Sequence, residues 1–540
     1  MSSGYLALIL HAHLPFVRHP EHEEFLEENW FFEAVTETYL PLLGMMQRLV
    51  RDEVPFQLTM TVTPTLCAMF QDQLLRDRYL RHLDRSIALA GREIDRNHNN
   101  NQLRELSQFY YNNFSECRSR FLECGGDLLA EFRKLRETGR LEIMASAATH
   151  GLLPLLQSSP EAVRAQVQIG CDVHRATFGV DPAGFWLPEC GYAPGLETIL
   201  QEANLRWFVV DANGLMFGEP QPRRAIYAPC YTPAGPAVFA RDRDPSRQVW
   251  SATEGYPGHP AYRDFYRDIG FDLPVEYIWP ESHAPLVRKF TGLKYHRITG
   301  PGDAKELYDP AAARKVAEIH ASHFLEARRQ QLNELRTLDF DPIVVVPFDA
   351  ELFGHWWFEG PQFLESFIRQ AAHPHQDLRL VNKDSYGQHD LQLTTPTAFL
   401  ADHPTQQTLT PAASSWGENG HLAVWLDETN SWIYPHLHSL ARRMTEVTKM
   451  HGSNDGMITK RVLQQLAREL LLAQSSDWPF LIKTGTASHY ATKRVTDHLL
   501  RFNRLYEQFT NGKVDEDFLS NCEWRDNPFP DLNWRYYSSC

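Results

Sequence analysis

Two acidic residues lie at the ends of apolar segments and could act together on a sugar. Glu189 follows the run Gly184-Phe-Trp-Leu-Pro, and Asp349 follows Ile343-Val-Val-Val-Pro-Phe. Burying a carboxylate costs free energy unless it has partners, which favours a functional role over a purely structural one. Glycoside cleavage uses two carboxyl groups across the scissile bond, about 5–5.5 Å apart in retaining enzymes and further apart in inverting ones. We therefore expect Glu189 and Asp349 to form such a pair.

A pair of histidines, His11 and His13, stands at the end of another apolar run. Residues i and i+2 of a β-strand face the same side of the sheet, so both imidazoles are expected to point the same way. Three interpretations remain open for this pair. It could be a polar pair satisfied within the fold, two ligands of a metal ion, or a clamp for sugar hydroxyls.

Aromatic side chains accompany the second carboxylate. Asp349 is followed by Glu351, His355, Trp356 and Trp357. Flat aromatic faces bind the C–H groups of a sugar ring, while carboxylates and histidines bind its hydroxyls, and two adjacent Trp side chains in a loop must cover a large apolar area. A buried strand followed by a polar loop is the alternative interpretation of this segment.

Two further turns, Ser414-Ser-Trp416-Gly and Ser475-Ser-Asp477-Trp-Pro, also join Trp to polar groups. Trp416 precedes a glycine in a turn, which favours stacking on a ligand. Trp425 and Trp432 have roughly helical spacing, and we expect them in the core.

The composition limits the classes of protein to consider. The chain has 540 residues and is 43% hydrophobic and 22% charged, which predicts a large folded globular protein. Its formal net charge of −15 argues against nucleic-acid binding, which needs a basic surface. The eight Cys residues form no C-x-x-C pair, so neither a disulfide scaffold nor a zinc ribbon is expected. No signal peptide or membrane-spanning run is predicted, which makes the cytoplasm the expected location.

Short apolar runs separated by helical segments are typical of an α/β fold with a parallel sheet. If the sheet closes into a barrel, the chemistry sits at the C-terminal ends of the strands, where the candidates above fall. The predicted strands are 5–13, 56–63, 141–148, 184–189, 205–211 and 343–349.

Three regions do not follow this alternation of apolar runs and helical segments. Residues 67–138 carry helical patterns and are predicted to form a helical insertion in a catalytic domain of residues 1–400. Residues 212–260 are rich in Pro, Gly and Arg, which predicts a long active-site loop, with 241–247 well solvated. Residues 401–540 are predicted to form a C-terminal helical domain. Its expected helices are 428–450, 457–473 and 494–509.

Five segments, in order along nearly the whole chain, resemble the motifs of glycoside hydrolase family 57. They are His11-Ala-His-Leu-Pro-Phe16, His150-Gly-Leu-Leu-Pro-Leu155, Trp186-Leu-Pro-Glu-Cys-Gly-Tyr192, Phe348-Asp-Ala-Glu-Leu-Phe-Gly-His355 and the region from Trp416 to His438. The chain length and the two Ser-Ser turns are most similar to those of the family's 1,4-α-glucan branching enzymes. The resemblance implies an α/β fold, an incomplete (β/α)7 barrel with a helical insertion and a C-terminal all-helical domain. It also implies a retaining mechanism with no metal ion and no other cofactor.

The same resemblance implies roles for individual residues. Glu189 matches the family's nucleophile, and Asp349 matches its general acid/base. The residues matched to substrate contacts are His11, His13, His150, Arg267, Trp416 and Asp477, with Trp30, Trp279 and Trp357 as further aromatic platforms. The implied partner is an α-glucan such as amylose or a glycogen-like polymer, with neither nucleic acid nor membrane as a partner and a monomer as the default state.

Three alternatives to branching remain open. An α-amylase or 4-α-glucanotransferase of the same family would use the same residues. A transferase must keep water from its glycosyl intermediate, and Phe239 is the only aromatic residue between Tyr231 and Trp250 in the predicted loop. A zinc-dependent polysaccharide deacetylase or mannosidase would use His11, His13 and an acidic residue as ligands. A non-catalytic glucan-binding protein would use the carboxylates only to bind hydroxyls.

Overall fold

The computed structural model describes residues 4–251, 253–279, 287–300, 302, 304–336, 340–372, 391–451 and 456–538. Ten strands within these residues form one sheet. They are β1 (Gly4–Ala12), β2 (Leu58–Val62), β3 (Leu141–Ser146), β4 (Gly184–Trp186), β5 (Trp207–Val210), β6 (Cys230–Tyr231), β7 (Ala237–Ala240), β8 (Ile343–Asp349), β9 (Leu391–Leu393) and β10 (Gln407–Thr408).

The sheet is parallel over most of its width. Its order is β10-β6-β7-β5-β4-β3-β2-β1-β8, with β9 paired to the start of β1. Seven strands, β8, β1, β2, β3, β4, β5 and β7, follow one another in parallel pairs. The main-chain N–H of Asp242, just after β7, donates to the carbonyl of Val345 in β8 at 2.9 Å, so the sheet curls until its two sides approach. The predicted fold, an incomplete (β/α)7 barrel, is confirmed.

The two faces of the sheet have different occupants, because side chains alternate along a strand. One core cluster contains Ala7 and Ile9 of β1 with Ile343 and Val345 of β8, and it fills the interior of the barrel. The intervening residues belong to the larger cluster that includes the surrounding helices. His11 and Asp349 share the parity of the interior residues, so the barrel core ends in a polar layer at the C-terminal side of the strands.

The expectation that 212–260 is one long loop is wrong. This stretch contains β6, β7 and the helices Ala212–Met216 and Arg243–Trp250. Strand β7 has four fully buried apolar residues flanked by Pro, Gly and Arg, which is too short a run to show periodicity in the sequence. The predicted solvation of 241–247 is also wrong at its first residue. Arg241 is largely buried in an ion pair with Asp211, at 3.1 Å.

Helices surround the barrel and fill the stretch between β2 and β3. Asp72, Asn100 and Asp127 each accept a hydrogen bond from a main-chain N–H in the first turn of the helix that follows, which stabilises the three helix starts. The α-helices up to β10 are Glu28–Ala34, Leu40–Arg51, Pro64–Gln71, Gln73–Arg96, Asn101–Glu123, Leu128–Glu137, Leu153–Leu156, Pro160–Phe178, Leu196–Glu202, Ala212–Met216, Arg243–Trp250, Ile269–Asp272, Val275–Ile278, Pro310–Arg336, Gly360–Ala372 and Pro396–Asp402.

The region after β10 is helical. Its α-helices are Ile433–His451, Met457–Ala473, Asp477–Thr484, Ser488–Thr510 and Glu516–Arg525. Two isolated antiparallel bridges, Gly151 with Ser475 and Tyr192 with Ser414, join this region to the turns that follow β3 and β4. The helical region therefore contacts the barrel at the polar layer. Among the described residues, no helix is both long and apolar enough to cross a membrane.

Candidate active site

The predicted catalytic carboxylates and histidines converge where the parallel strands end. His11 of β1 pairs in register with Asp349 of β8 and with Thr61 of β2. His150 and Glu189 follow β3 and β4 in turns with a left-handed backbone, at φ values of 56° and 61°. Non-glycine residues adopt this conformation rarely and at a cost in free energy, and such residues cluster at active sites.

Donors from the C-terminal part of the chain hold the carboxylate of Glu189. Trp416 Nε1 donates to Oε2 and Ser476 Oγ donates to Oε1, each at 2.8 Å. The main-chain N–H of Trp416 also donates to the Glu189 carbonyl at 3.0 Å, so both ends of the residue are fixed. Burial raises the pKa of Glu189, and the two side-chain donors oppose this shift because they bind the ionised carboxylate.

The carboxyl group of Asp349 has charged neighbours instead. Burial raises the pKa of Asp349 well above its usual range, and the negative charges of Glu351 and Glu189 raise it further, while Arg241 opposes the shift. The electrostatic effect of Glu189 on Asp349, together with the register of His11 beside Asp349 and the stacking of His11 on Trp186, indicates that the two carboxyl groups face the same site. The pKa of Asp349 is raised more strongly than that of Glu189, which favours a proton on Asp349 rather than on Glu189.

Burial disfavours a positive charge on two of the three histidines. His11 stacks on Trp186 with ring centroids 4.5 Å apart, and its Nε2 lies 3.0 Å from Nε2 of His150. Burial lowers the pKa of both His11 and His150 well below the usual value, and the nearby His13 adds to the shift. One ring nitrogen in the contact therefore donates and the other accepts.

His13 has the opposite tendency. Its Nδ1 lies 2.9 Å from Thr63 Oγ1, and its Nε2 lies 3.0 Å from a carboxylate oxygen of Asp477. Burial opposes a charge on this imidazole, but Asp477, Glu189 and Glu351 outweigh burial and raise the pKa of His13. A positive charge on His13 would favour the ionised form of Glu189.

Trp416 belongs to an aromatic cluster beside Glu189. Its ring centroid is 5.1 Å from that of Trp186 and 5.8 Å from that of Trp250, both edge to face. The guanidinium of Arg241 lies 5.9 Å from the Trp416 ring. Trp250 is 43% exposed, so it offers apolar surface next to the site. Stacking of glucan on the Trp416 ring stays a prediction. The indole N–H of Trp416 donates to the carboxylate of Glu189.

The arrangement of the histidines tests whether a zinc ion could bind at this site, as the deacetylase or mannosidase alternative requires. His13, His150 and Asp477 each offer a ligand atom within 4.8 Å of the others. The rings of His13 and His150 are stacked, with centroids 3.9 Å apart and planes 17° apart, so their in-plane lone pairs lie in two separate and nearly parallel planes. His150 Nδ1 also contacts Ser476 Oγ at 2.8 Å. This arrangement does not fit a tetrahedral zinc site, whose ligand lone pairs must converge on one point.

The prediction that Trp357 is a sugar platform is wrong. Its side chain is 1% exposed and packs against Tyr262 and Phe363. Trp356 is instead 52% exposed and stacks on Phe265 with centroids 4.4 Å apart. The two neighbours point to opposite sides of one turn, and the sequence cannot show which of them faces the core.

Three other predicted glucan contacts are partly exposed and already contact a neighbouring side chain. Their roles stay predictions. Arg267 forms an ion pair with Asp272 at 2.9 Å, the Trp30 ring lies 5.8 Å from Tyr490, and Lys289 Nζ lies 4.6 Å from the Trp279 ring.

Sequence reasoning missed four residues that contact or electrostatically affect the proposed catalytic pair. Ser476 lies in a Ser-Ser-Asp turn that the sequence singled out, and that turn was the available signal. Glu351 shares strand parity with Asp349 in the sequence but was not assigned a role. Tyr39, which donates to Glu351, lies in an ordinary helical pattern, and Arg241 lies in a charged stretch, so neither residue gave a signal.

Two family models match the chain. The model described as "Glycosyl hydrolase family 57" matches residues 7–410, and the model described as "1,4-alpha-glucan branching enzyme, C-terminal" matches residues 436–537. A 1,4-alpha-glucan branching enzyme of Thermococcus kodakarensis is 34% identical over 97% of this chain and 77% of its own length.

Solved structures agree with these matches. An α-amylase of Thermotoga maritima, AmyC, is 42% identical, covers 100% of both chains and has a TM-score of 0.91. A branching enzyme of Pyrococcus horikoshii is 32% identical, with 99% of this chain and 97% of that chain covered and a TM-score of 0.87. The family model matches residues 7–410, well over half of the 540-residue chain, which confirms the resemblance seen in the motifs. The chain belongs to glycosyl hydrolase family 57.

Proposed function

We propose that the chain is a 1,4-α-glucan branching enzyme, a retaining transglycosylase that cleaves α-1,4 glucosidic bonds and forms α-1,6 branches. One observation carries this assignment. Ser476 and Asp477, which hold Glu189 and His13, lie within residues 436–537, the segment that matches the C-terminal model of branching enzymes. That segment thus contributes directly to the catalytic geometry.

In the first step, Glu189 is the nucleophile. Its carboxylate oxygen attacks the anomeric carbon of an internal glucose unit, the bond from that carbon to O4 breaks, and Asp349 transfers its proton to the departing O4. The donors Trp416 and Ser476 keep Glu189 oriented, and the raised pKa of Asp349 keeps its proton available at neutral pH.

In the second step, a glucan acceptor replaces the departed chain. Asp349 takes the proton of the acceptor 6-hydroxyl, O6 forms a bond to the anomeric carbon, and the ester bond to Glu189 breaks. Two inversions give net retention. Water must be kept out during this exchange, and the exposed indole of Trp250 beside Trp416 offers apolar surface for a second chain.

Linkage analysis tests the proposal. The enzyme is incubated with amylose, and proton NMR measures new α-1,6 anomeric signals against new reducing ends. We expect α-1,6 signals to accumulate with few new reducing ends, and to be lost in Asp349→Asn. Longer linear chains without α-1,6 signals would instead identify a 4-α-glucanotransferase.

An α-amylase is the second candidate. The chain is 42% identical to the Thermotoga α-amylase, against 34% and 32% for the branching enzymes above. The turn between β6 and β7 is also short, closed by a hydrogen bond from Thr232 N–H to the Pro236 carbonyl, and Phe239 is buried in β7. New reducing ends without α-1,6 signals would establish this activity.

Two finer points remain our proposals. We assign the enzyme to the synthesis of a glycogen-like polymer in the cytoplasm, on the basis of the branching reaction and the sequence alone.

The alternative of a non-catalytic glucan-binding protein is tested with Glu189→Gln. Wild-type protein that binds glucan but turns it over no faster than Glu189→Gln would support that alternative.

A further inference from the structure

A third buried carboxyl group, that of Glu351, follows the proposed acid/base Asp349 by two residues. Glu351 lies in the 3-10 turn Ala350–Leu352 that directly follows β8, and its side chain is 8% exposed. Its Oε1 accepts hydrogen bonds from the main-chain N–H of His13, at 3.2 Å, and from the hydroxyl of Tyr39. Neither catalytic step above uses this buried group.

The partner of Glu351 comes from an unusual backbone. Tyr39 ends a π-helical turn, Val35–Tyr39, between two α-helical segments. Such turns are rare and occur frequently at functional sites. In the same turn, Thr38 Oγ1 accepts the main-chain N–H of His355 at 3.2 Å. The π-helical turn therefore forms two hydrogen bonds with the segment after β8.

The main chain of Gly354 also packs closely against the main chain of the π-helical turn. Gly354 has a φ of +119°, and a Cβ at this position would lie 1.8 Å from the carbonyl oxygen of Glu37. Only glycine allows this approach. The carboxylate of Glu37 also accepts from His355 Nδ1 at 2.9 Å. The loop that carries Glu351 is thus held against the π-helical turn by both main chain and side chains.

We propose that Glu351, held by Tyr39 and the His13 amide, is a positioning residue whose negative charge keeps the proton on Asp349. The same charge makes Asp349 recover a proton from the acceptor hydroxyl after it has protonated the leaving oxygen. The proposal rests on the proposed function, because it takes Asp349 as the acid/base.

The electrostatics of the neighbours support this role. Burial raises the pKa of Glu351 to about 7, while the Tyr39 hydroxyl and His13 favour its ionised form. Ionised Glu351 and Glu189 both disfavour a negative charge on Asp349, and Arg241 favours it. Removing the Tyr39 hydroxyl therefore neutralises Glu351 more often near pH 7, and neutral Glu351 retains the Asp349 proton less well.

The test is the pH dependence of kcat/KM with amylose. Glu351→Gln removes the charge with little change in shape. Its basic limb should move to lower pH, with about three- to tenfold lower kcat/KM at pH 8 and a KM close to wild type. Tyr39→Phe should move the limb in the same direction by a smaller amount. Glu351→Asp keeps a carboxylate and should return the limb towards its wild-type position.

Two matched variants control for loss of buried polar groups. Tyr79→Phe removes a buried hydroxyl that lies 3.0 Å from Thr36 Oγ1 in the same π-helical turn, and Glu359→Gln neutralises a buried carboxyl that accepts from Tyr308 at 2.6 Å. Both should leave the basic limb in place.

A folded Glu351→Gln variant whose basic limb stays at the wild-type pH, or moves to higher pH, overturns the proposal. If that variant does not fold, the position of the limb in Tyr39→Phe decides. Wild-type turnover by Asp349→Asn would instead overturn the proposed function, whatever the pH profile of the Glu351 variants.

Discussion

The turn after β4 and the turn after β8 each present a carboxyl group to the same site, but they treat it differently. Glu189 receives hydrogen bonds from Trp416 and Ser476, which come from a distant part of the chain and bind the ionised form. Asp349 is surrounded by the charges of Glu351 and Glu189, which favour its protonated form. The fold thus favours different protonation states for two similar side chains, one through hydrogen-bond donors and the other through like charge, as the proposed roles of nucleophile and acid/base require.

The largest effects should come from removing either carboxyl group. Asp349→Asn should lower kcat on amylose by about 10²–10⁴-fold, the usual contribution of general acid–base catalysis, and Glu189→Gln by more because no glycosyl-enzyme can form. An aryl α-maltooligosaccharide, whose leaving group needs no proton, separates the effects of Asp349→Asn and Glu189→Gln. Release of the aryl group should then recover in Asp349→Asn but not in Glu189→Gln, as measured by a burst of free phenolate. Recovery in Glu189→Gln alone would exchange the two roles.

Smaller effects should follow from removing the donors to Glu189. Trp416→Phe and Ser476→Ala each remove a hydrogen bond that favours the ionised carboxylate, so the pKa of Glu189 should rise. The acidic limb of kcat/KM should move to higher pH, with a loss of about tenfold on that limb, the usual scale for hydrogen bonds to charged groups. Glu351→Gln moves the other limb, so the two sets of variants separate the two turns.

Ser414→Ala is a suitable control for the donor variants, because its hydroxyl lies in the same segment as Trp416 and leaves both donors in place. Its profile should match wild type. A shift of the basic limb in Ser476→Ala, with the acidic limb unmoved, would contradict the assigned roles.

The smallest effect should come from a residue that serves both turns. His13 donates its main-chain N–H to Glu351, and its imidazole, near Glu189, contacts Thr63. Thr63→Val removes a hydroxyl that contacts His13 Nδ1 at 2.9 Å and Thr65 Oγ1 at 3.4 Å. It should lower the free energy of unfolding by about 1 kcal/mol, as followed by urea denaturation, with a few-fold loss in kcat/KM. Both limbs should shift little. Displacement of a single limb would show that His13 serves only one of the turns.

The strand ends could be predicted from the sequence for a simple reason. Parallel strands buried on both faces appear as continuous apolar runs, and the polar residue that ends each run lies at the edge of the sheet. His11, Glu189 and Asp349 were found in this way. Strand β7 escaped because four apolar residues between Pro, Gly and Arg carry no periodic signal, and Arg241 was consequently taken for a solvated charge.

The partners of the catalytic pair could not be predicted because they depend on contacts between distant segments. Ser476 reaches Glu189 across 287 positions of the chain, and Tyr39 reaches Glu351 across 312. Trp356 and Trp357 illustrate a second reason. The direction of each indole is set by the turn after β8, and that turn is fixed by the close approach of Gly354 to the π-helical turn.

The division of labour around Glu189 has a consequence for how activity could arise in this fold. The barrel supplies Glu189, the proposed nucleophile, but both side-chain donors that favour its charge follow β10 in the chain. If these two donors were lost while Glu189 stayed buried, burial would raise its pKa further and favour the protonated acid. The helical region therefore does more than cover the end of the barrel, because it supplies the hydrogen bonds that favour the reactive, ionised form of Glu189.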